Sequence, residues 1–208
     1  MYSSSTVNNR LIILNFGSEH YATIQHMIKD KQMPWVLAGY QLFAQAGPQG
    51  LKVEVIARKV QKSKSSFYHH FADLEVFTEF LLHYHLHQAA LIAERENQCK
   101  NIEPDLIEVL VDAKQDLLFN RQLRVNRQVE AFRLCFEKST QYVTEAFLRV
   151  WALDLGIAPK VPLAQNMLDL LMENFYLQIT AENLTHEWLS DYFTKIRATV
   201  KDLIQSAS

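Results

Sequence analysis

The stretch "LKVEVIARKVQKSKSSFYHHF", residues 51–71, decides how this chain is read. Val53, Ile56, Ala57 and Val60 form one apolar stripe at helical spacing, and a break at Gln61–Lys62 ends it. Beyond the break, Phe67 and Phe71 stand four apart and mark a second inward face, while Lys64, Ser65, Tyr68 and His69 fall on the opposite side. Two short helices around a tight turn describe a helix-turn-helix, whose second helix lies in the major groove of DNA.

The charges agree with that reading. Between residues 51 and 71, Lys52, Arg58, Lys59, Lys62 and Lys64 are opposed only by Glu54, although the whole chain carries a net charge of -2. A basic patch on an acidic body points to a local anionic partner. Lysine pairs with phosphate or guanine, a small serine allows close backbone approach, and tyrosine hydroxyls bond phosphate.

Such short helices need a third to pack on. "PWVLAGYQLFAQA", residues 34–46, supplies it: Pro34 suits a first helical position, Trp35, Ala38, Leu42 and Phe43 recur at helical spacing, and "AGPQG" (46–50) stops the helix. Asp73 is placed to cap a long helix from about Leu74 to Gln98. Pro104 opens a helix that runs to Phe119, and two more are expected over 128–138 and 139–156, the second capped by Ser139 or Thr140 and stopped by Gly156. After the linker "IAPKVP", two long helices over roughly Leu163–Thr180 and Thr185–Gln205 close the chain. No hairpin signal or internal repeat is present, so the expected fold is all-α, with about nine helices.

The segment "LFAQAGPQGLKVEVIARKVQKSKSSFYHHFADLEVF" resembles the N-terminal domain of the TetR/AcrR family of transcriptional regulators. The shared pattern is a leucine-phenylalanine ending the first helix, a glycine-containing loop, isoleucine-alanine in the second helix, Ser63-Lys64, and then tyrosine, any residue, histidine and phenylalanine. The resemblance implies a three-helix DNA-binding domain over 34–80 and a helical ligand-binding and dimerisation domain over 81–208. It makes Lys64, Ser65 and Ser66 the contacts at or near bases and sets Tyr68, His69 and His70 beside phosphates; Lys52 and Lys62 join them on charge. Three departures stand out: Gln61 replaces the usual turn glycine, Lys62 the apolar residue after it, and Leu74 a phosphate-holding lysine.

The same resemblance implies a near-palindromic double-stranded operator, a homodimer and a small apolar or aromatic effector. Phe132, Phe136, Tyr142, Phe147 and Trp151 are the expected pocket residues, although each is explained singly as ordinary core. The last two helices carry apolar residues on more than one face, and Met167, Leu170, Leu171, Phe175, Trp188, Tyr192 and Ile196 are expected to pair with their copies in a four-helix bundle.

Other features carry less. His83 and His87 have the spacing of a helical metal pair, with His85 between them, but no third ligand stands nearby, so neither metal nor cofactor is expected. Cys99 and Cys135 form no C-x-x-C and read as packed thiols of a reducing cytoplasm. No apolar run is long enough to span a membrane, and no nucleophile-base set suggests an enzyme built on His83, His87 or Cys135. Residues 1–33 precede the domain without a clear period; either translation starts at Met27, or a genuine extension packs on the DNA-binding domain. The rival to a regulator is an interaction protein of the same fold that has lost operator binding, suggested by Gln61 and Leu74.

Overall fold

The computed structural model describes residues 28–155 and 162–206, excepting the side chains of 155, 162–169 and 203–206. The expectations about residues 1–26, a start at Met27, the stop at Gly156 and the contacts of Met167 lie outside that description. The described chain is all-helical: α1 (Met33–Ala46), α2 (Val53–Lys59), α3 (Lys64–His70), α4 (Leu74–Gln98), α5 (Ile107–Asp112), α6 (Lys114–Val125), α7 (Glu130–Leu155), α8 (Pro162–Gln178) and α9 (His186–Ser206). None of these helices is long and apolar enough to cross a membrane.

Local chemistry places the first four helices. Pro34 sits in the first turn of α1, where its missing N–H costs no bond. Ser63 caps α3 by accepting from the Ser66 N–H at 3.2 Å, and Asp73 caps α4 by accepting from Val76 N–H at 2.8 Å. Between α2 and α3 the Lys62 N–H donates to the Ala57 carbonyl at 2.9 Å and the Gln61 N–H to that of Arg58 at 3.1 Å. This is a Schellman closure, and Gln61 adopts its left-handed conformation at φ 56°. The turn therefore keeps its shape without glycine, at a cost of about 1 kcal/mol in backbone strain.

Two of the expected helix boundaries are corrected. The segment from Pro104 to Phe119 bends at Ala113 into α5 and α6. The Ala113 N–H still bonds Val109, and its carbonyl still receives Leu117, so the apolar period runs through the bend without a break signal. Conversely, α7 is continuous across Ser139 and Thr140. Ser139 is buried, and its hydroxyl is shared between the Phe136 carbonyl and Asn120 Oδ1, both at 2.9 Å, so it does not cap.

Two apolar clusters form the interior. The first joins α1 to α4 with Phe119 and Leu123 of α6 and Phe132 and Cys135 of α7; the second joins α5 to α9. The helix-turn-helix is thus sealed by residues more than fifty positions downstream, and its core is shared with the rest of the chain.

Gly39 on α1 faces Phe77 and Leu81 of α4. A Cβ there would lie 2.5 Å from Phe77 Cε1 and closer still to Cζ, and Phe77 is wedged between Phe67 and Phe71. Gly39→Ala is expected to destabilise the fold by about 1–3 kcal/mol despite the better helix propensity of alanine. Urea unfolding followed by circular dichroism measures this, and an unchanged midpoint would show that α1 and α4 separate freely.

Candidate functional site

The recognition face is built on α3. Phe67 and Phe71 are fully buried against Trp35, Phe77 and Phe80, which fixes the helix's rotation. That rotation leaves Lys64, Ser65, Tyr68 and His69 exposed in one row, with Tyr68 56% exposed despite its size. Lys52 and Lys62 are exposed beside them. Ser66 and His70 are turned partly inward: the His70 ring lies 6.1 Å from Trp35, and its carbonyl accepts from Gln32 Nε2 at 3.1 Å. Both are therefore less accessible than the other four.

Lys64 is engaged in this state. Its ammonium donates to Glu54 of α2 at 3.0 Å, and both side chains are exposed. The Glu54 carboxyl is held below its ordinary range by a bond to its own backbone N–H and then by Lys64. An exposed pair of this kind contributes little to stability, so a phosphate competes for Lys64 at small cost. Leu74, where the family pattern has lysine, packs against the first apolar cluster.

A second candidate site lies among α4, α6, α7, α8 and α9. There the helices enclose a cavity of about 50 Å³ with Glu96, Asn120, Phe147, Trp151, Tyr176 and Tyr192 in its wall. Of the five expected pocket aromatics, Phe147 and Trp151 line it. Phe132 and Tyr142 belong to the first apolar cluster, and Phe136 bridges both clusters and meets Tyr176 edge-on at 6.1 Å. The helical period could not separate these cases, because all five lie on the inward side of α7.

The expected dimer residues divide as well. Phe175 and Tyr192 are buried within the protomer and line the cavity, as do the half-buried Leu171 and Ile196. They are needed to close the second cluster and so are removed from an outer face. Trp188 stacks on Tyr192 at 5.2 Å. Leu170 is 71% exposed, and Leu153 and Leu177 join it at 59% and 73%.

A buried polar chain, absent from the sequence-based expectation, connects the cavity to α1. Asn120 Nδ2 donates to the Tyr176 hydroxyl at 2.8 Å, and Asn120 Oδ1 accepts from Ser139 at 2.9 Å and faces His85 Nε2 at 3.4 Å. On its other side, His85 Nδ1 meets the Tyr40 hydroxyl at 2.6 Å, and that hydroxyl donates to Asp116 Oδ1 at 2.7 Å. With the Tyr40 hydroxyl donating to Asp116, the hydrogen of the His85 contact sits on Nδ1. Burial lowers the His85 pKa to about 4, so the ring is neutral near pH 7.

His85, which lies between His83 and His87 in sequence, is a core residue. It is buried between Tyr40 and Phe119, while His83 bonds the Glu79 carbonyl through Nδ1 at 2.7 Å. Among the described residues, no group of three His, Cys, Asp or Glu side chains is placed to hold a metal ion. Both cysteines are buried and unbridged.

Residues 36–75 match the family model described as bacterial regulatory proteins, tetR family. Among solved structures, the chain is similar to a protein from Rhodococcus sp. assigned to the TetR family of transcriptional regulators. The two are 19% identical with a TM-score of 0.53, over 82% of this chain and 96% of that one, a likeness of fold. No curated protein matches the chain.

Proposed function

We propose that the chain, whose residues 36–75 match the tetR family of bacterial regulatory proteins, is a DNA-binding transcriptional regulator, a repressor that binds a near-palindromic operator as a dimer and releases it when a small molecule enters the cavity. The exposed row Lys64, Ser65, Tyr68 and His69 on a helix pinned by Phe67 and Phe71 is the observation that carries it. In that role Lys64 leaves Glu54 for a guanine or phosphate, and Tyr68 bonds the sugar-phosphate backbone. A symmetric dimer sets two such helices about 34–36 Å apart, one helical turn of DNA. Exposed Leu153, Leu170 and Leu177 on α7 and α8 support pairing through those helices.

The polar chain from Tyr176 to Tyr40 supports regulation. A ligand that shifts α6 or α8 alters the partners of Asn120 and Asp116, and through His85 and Tyr40 those of α1. Ligand binding then favours one arrangement of the helix-turn-helix over another, a coupling of two sites without chemistry.

Selection of bound duplexes from a random pool tests the reading. The native protein is expected to enrich a palindrome, and Lys64→Ala and Tyr68→Ala each to weaken binding by about 10-fold or more, as loss of a charged or backbone contact allows. Failure to enrich any sequence at low salt, where phosphate attraction is greatest, favours an interaction protein of this fold.

A further inference from the structure

Among the described residues, one polar group in the cavity wall lacks a hydrogen-bond partner. Glu96 of α4 is 2% exposed and lines the cavity, and its Oε2 has no hydrogen-bond partner. A buried carboxyl is retained at a cost unless something pairs with it. The guanidinium of Arg149 on α7 is committed elsewhere, to the backbone carbonyls of Glu96, Asn97 and Cys99. Arg124 on α6 is paired with Glu173 through Nη2, while its Nη1 is buried with no hydrogen-bond partner among the described residues. The rest of the wall is largely apolar and rich in aromatic rings, whose π faces attract cations.

We infer that the effector is a compact organic cation, a protonated amine on a small apolar body, with its ammonium on Glu96 and its body against Phe147, Trp151 and Phe175. This rests on the reading of the cavity as the effector site. At about 50 Å³ the space holds a few water-sized groups, which fits an amine of about six non-hydrogen atoms and excludes large multi-ring molecules without repacking.

Proton linkage separates an amine from a neutral ligand. Burial raises the Glu96 pKa to about 8, so the carboxyl is mostly protonated at pH 7. An ammonium arriving beside it favours the carboxylate, and the displaced proton goes to solvent; an alcohol leaves the proton in place. The other titratable or charged groups around Glu96 are Asp116 and Arg124 on α6, Arg149 on α7, Tyr176 on α8, Tyr192 on α9 and Cys99 beyond the end of its own helix. Tyr176 and Tyr192 are each pushed up to about 12 and Cys99 is raised, so none of the three releases this proton near neutrality. Asp116 is also raised by burial, but the Tyr40 hydroxyl already bonds it.

Titration calorimetry of the full-length protein with isoamylamine and isoamyl alcohol, repeated in buffers of different ionisation enthalpy at pH 7, tests the inference. The amine is expected to bind at least about 10-fold more tightly than the alcohol, as for a charge-assisted bond over a neutral one, with release of nearly one proton. Glu96→Gln, checked for folding by circular dichroism, is expected to lose that preference and keep the alcohol's affinity. Equal affinity of the two ligands, no uptake of the amine, binding without proton release, or a preference that survives in Glu96→Gln overturns the inference; the first three need no variant. Release of a selected operator duplex is read separately. An amine that binds as expected and leaves DNA binding unchanged overturns the regulatory reading while the ligand class stands.

Discussion

Glu96→Gln is expected to hold stability level between pH 6.5 and pH 8, where the native sequence loses it. Burial raises the Glu96 pKa from 4.5 to about 8, so the folded state keeps a proton that the unfolded chain gives up. Stability from this group is fully present below pH 4.5 and is lost as pH rises through 8. His85 acts in the opposite sense. Its pKa falls from 6.5 to about 4, so the unfolded chain takes a proton that the folded state refuses, and stability is lost as pH falls from 6.5 through 4.

The two slopes cancel between pH 4.5 and 6.5, where the unfolded chain protonates His85 and the folded one protonates Glu96. Above pH 6.5 only Glu96 remains, and its share of that window is roughly 2 kcal/mol, or about 4–8 °C in Tm for a chain of this size. In the variant the fall above pH 6.5 disappears. With no Glu96 to offset it, His85 then makes stability rise by roughly 2–3 kcal/mol from pH 4.5 to 6.5. Asp116, raised by burial, adds a fall that starts at lower pH and is common to both proteins. Thermal melts across this range check the prediction, and an identical alkaline fall in the variant would place the titrating group elsewhere.

Phe119→Ala is expected to cost about 3–5 kcal/mol, the loss typical of a large buried ring replaced by a methyl. Phe119 is fully buried where three elements meet: its ring stacks on Tyr40 at 4.2 Å, Phe43 at 4.3 Å and His85 at 4.6 Å. Removing it opens a void between α1, α4 and α6 and frees the Tyr40 and His85 rings to move. Denaturant unfolding measures the loss, and Phe119→Leu, which fills most of the space, is expected to cost less. A loss under about 1 kcal/mol would mean that the site collapses around the smaller side chain.

The helix-turn-helix was legible because its signals are local. Pro34, Asp73, the four-residue spacing of Phe67 and Phe71, and the run of lysines all act within a few residues of where they stand. Even the departures read correctly as departures of residue: Gln61 occupies the left-handed turn position that glycine would fill without strain. The C-terminal helices are less legible. Ser139 looked like a cap because the partner that occupies its hydroxyl, Asn120, is nineteen residues away on another helix. The apolar residues of α8 and α9 looked like an outer seam, yet Phe175 and Tyr192 close the protomer's own interior.

An all-α chain with a helix-turn-helix, and the side chains on the exposed face of its second helix, can be read from sequence because periodicity, capping and local charge are properties of neighbours along the chain. Three facts depend on the assembled helices: Glu96 Oε2 has no hydrogen-bond partner among the described residues, His85 is a neutral core residue, and Tyr40 on the first helix is tied to Tyr176 in the cavity wall. Each of those depends on what surrounds a polar group in space: desolvation and hydrogen-bond supply are set by residues tens of positions away, which no spacing rule along the chain specifies.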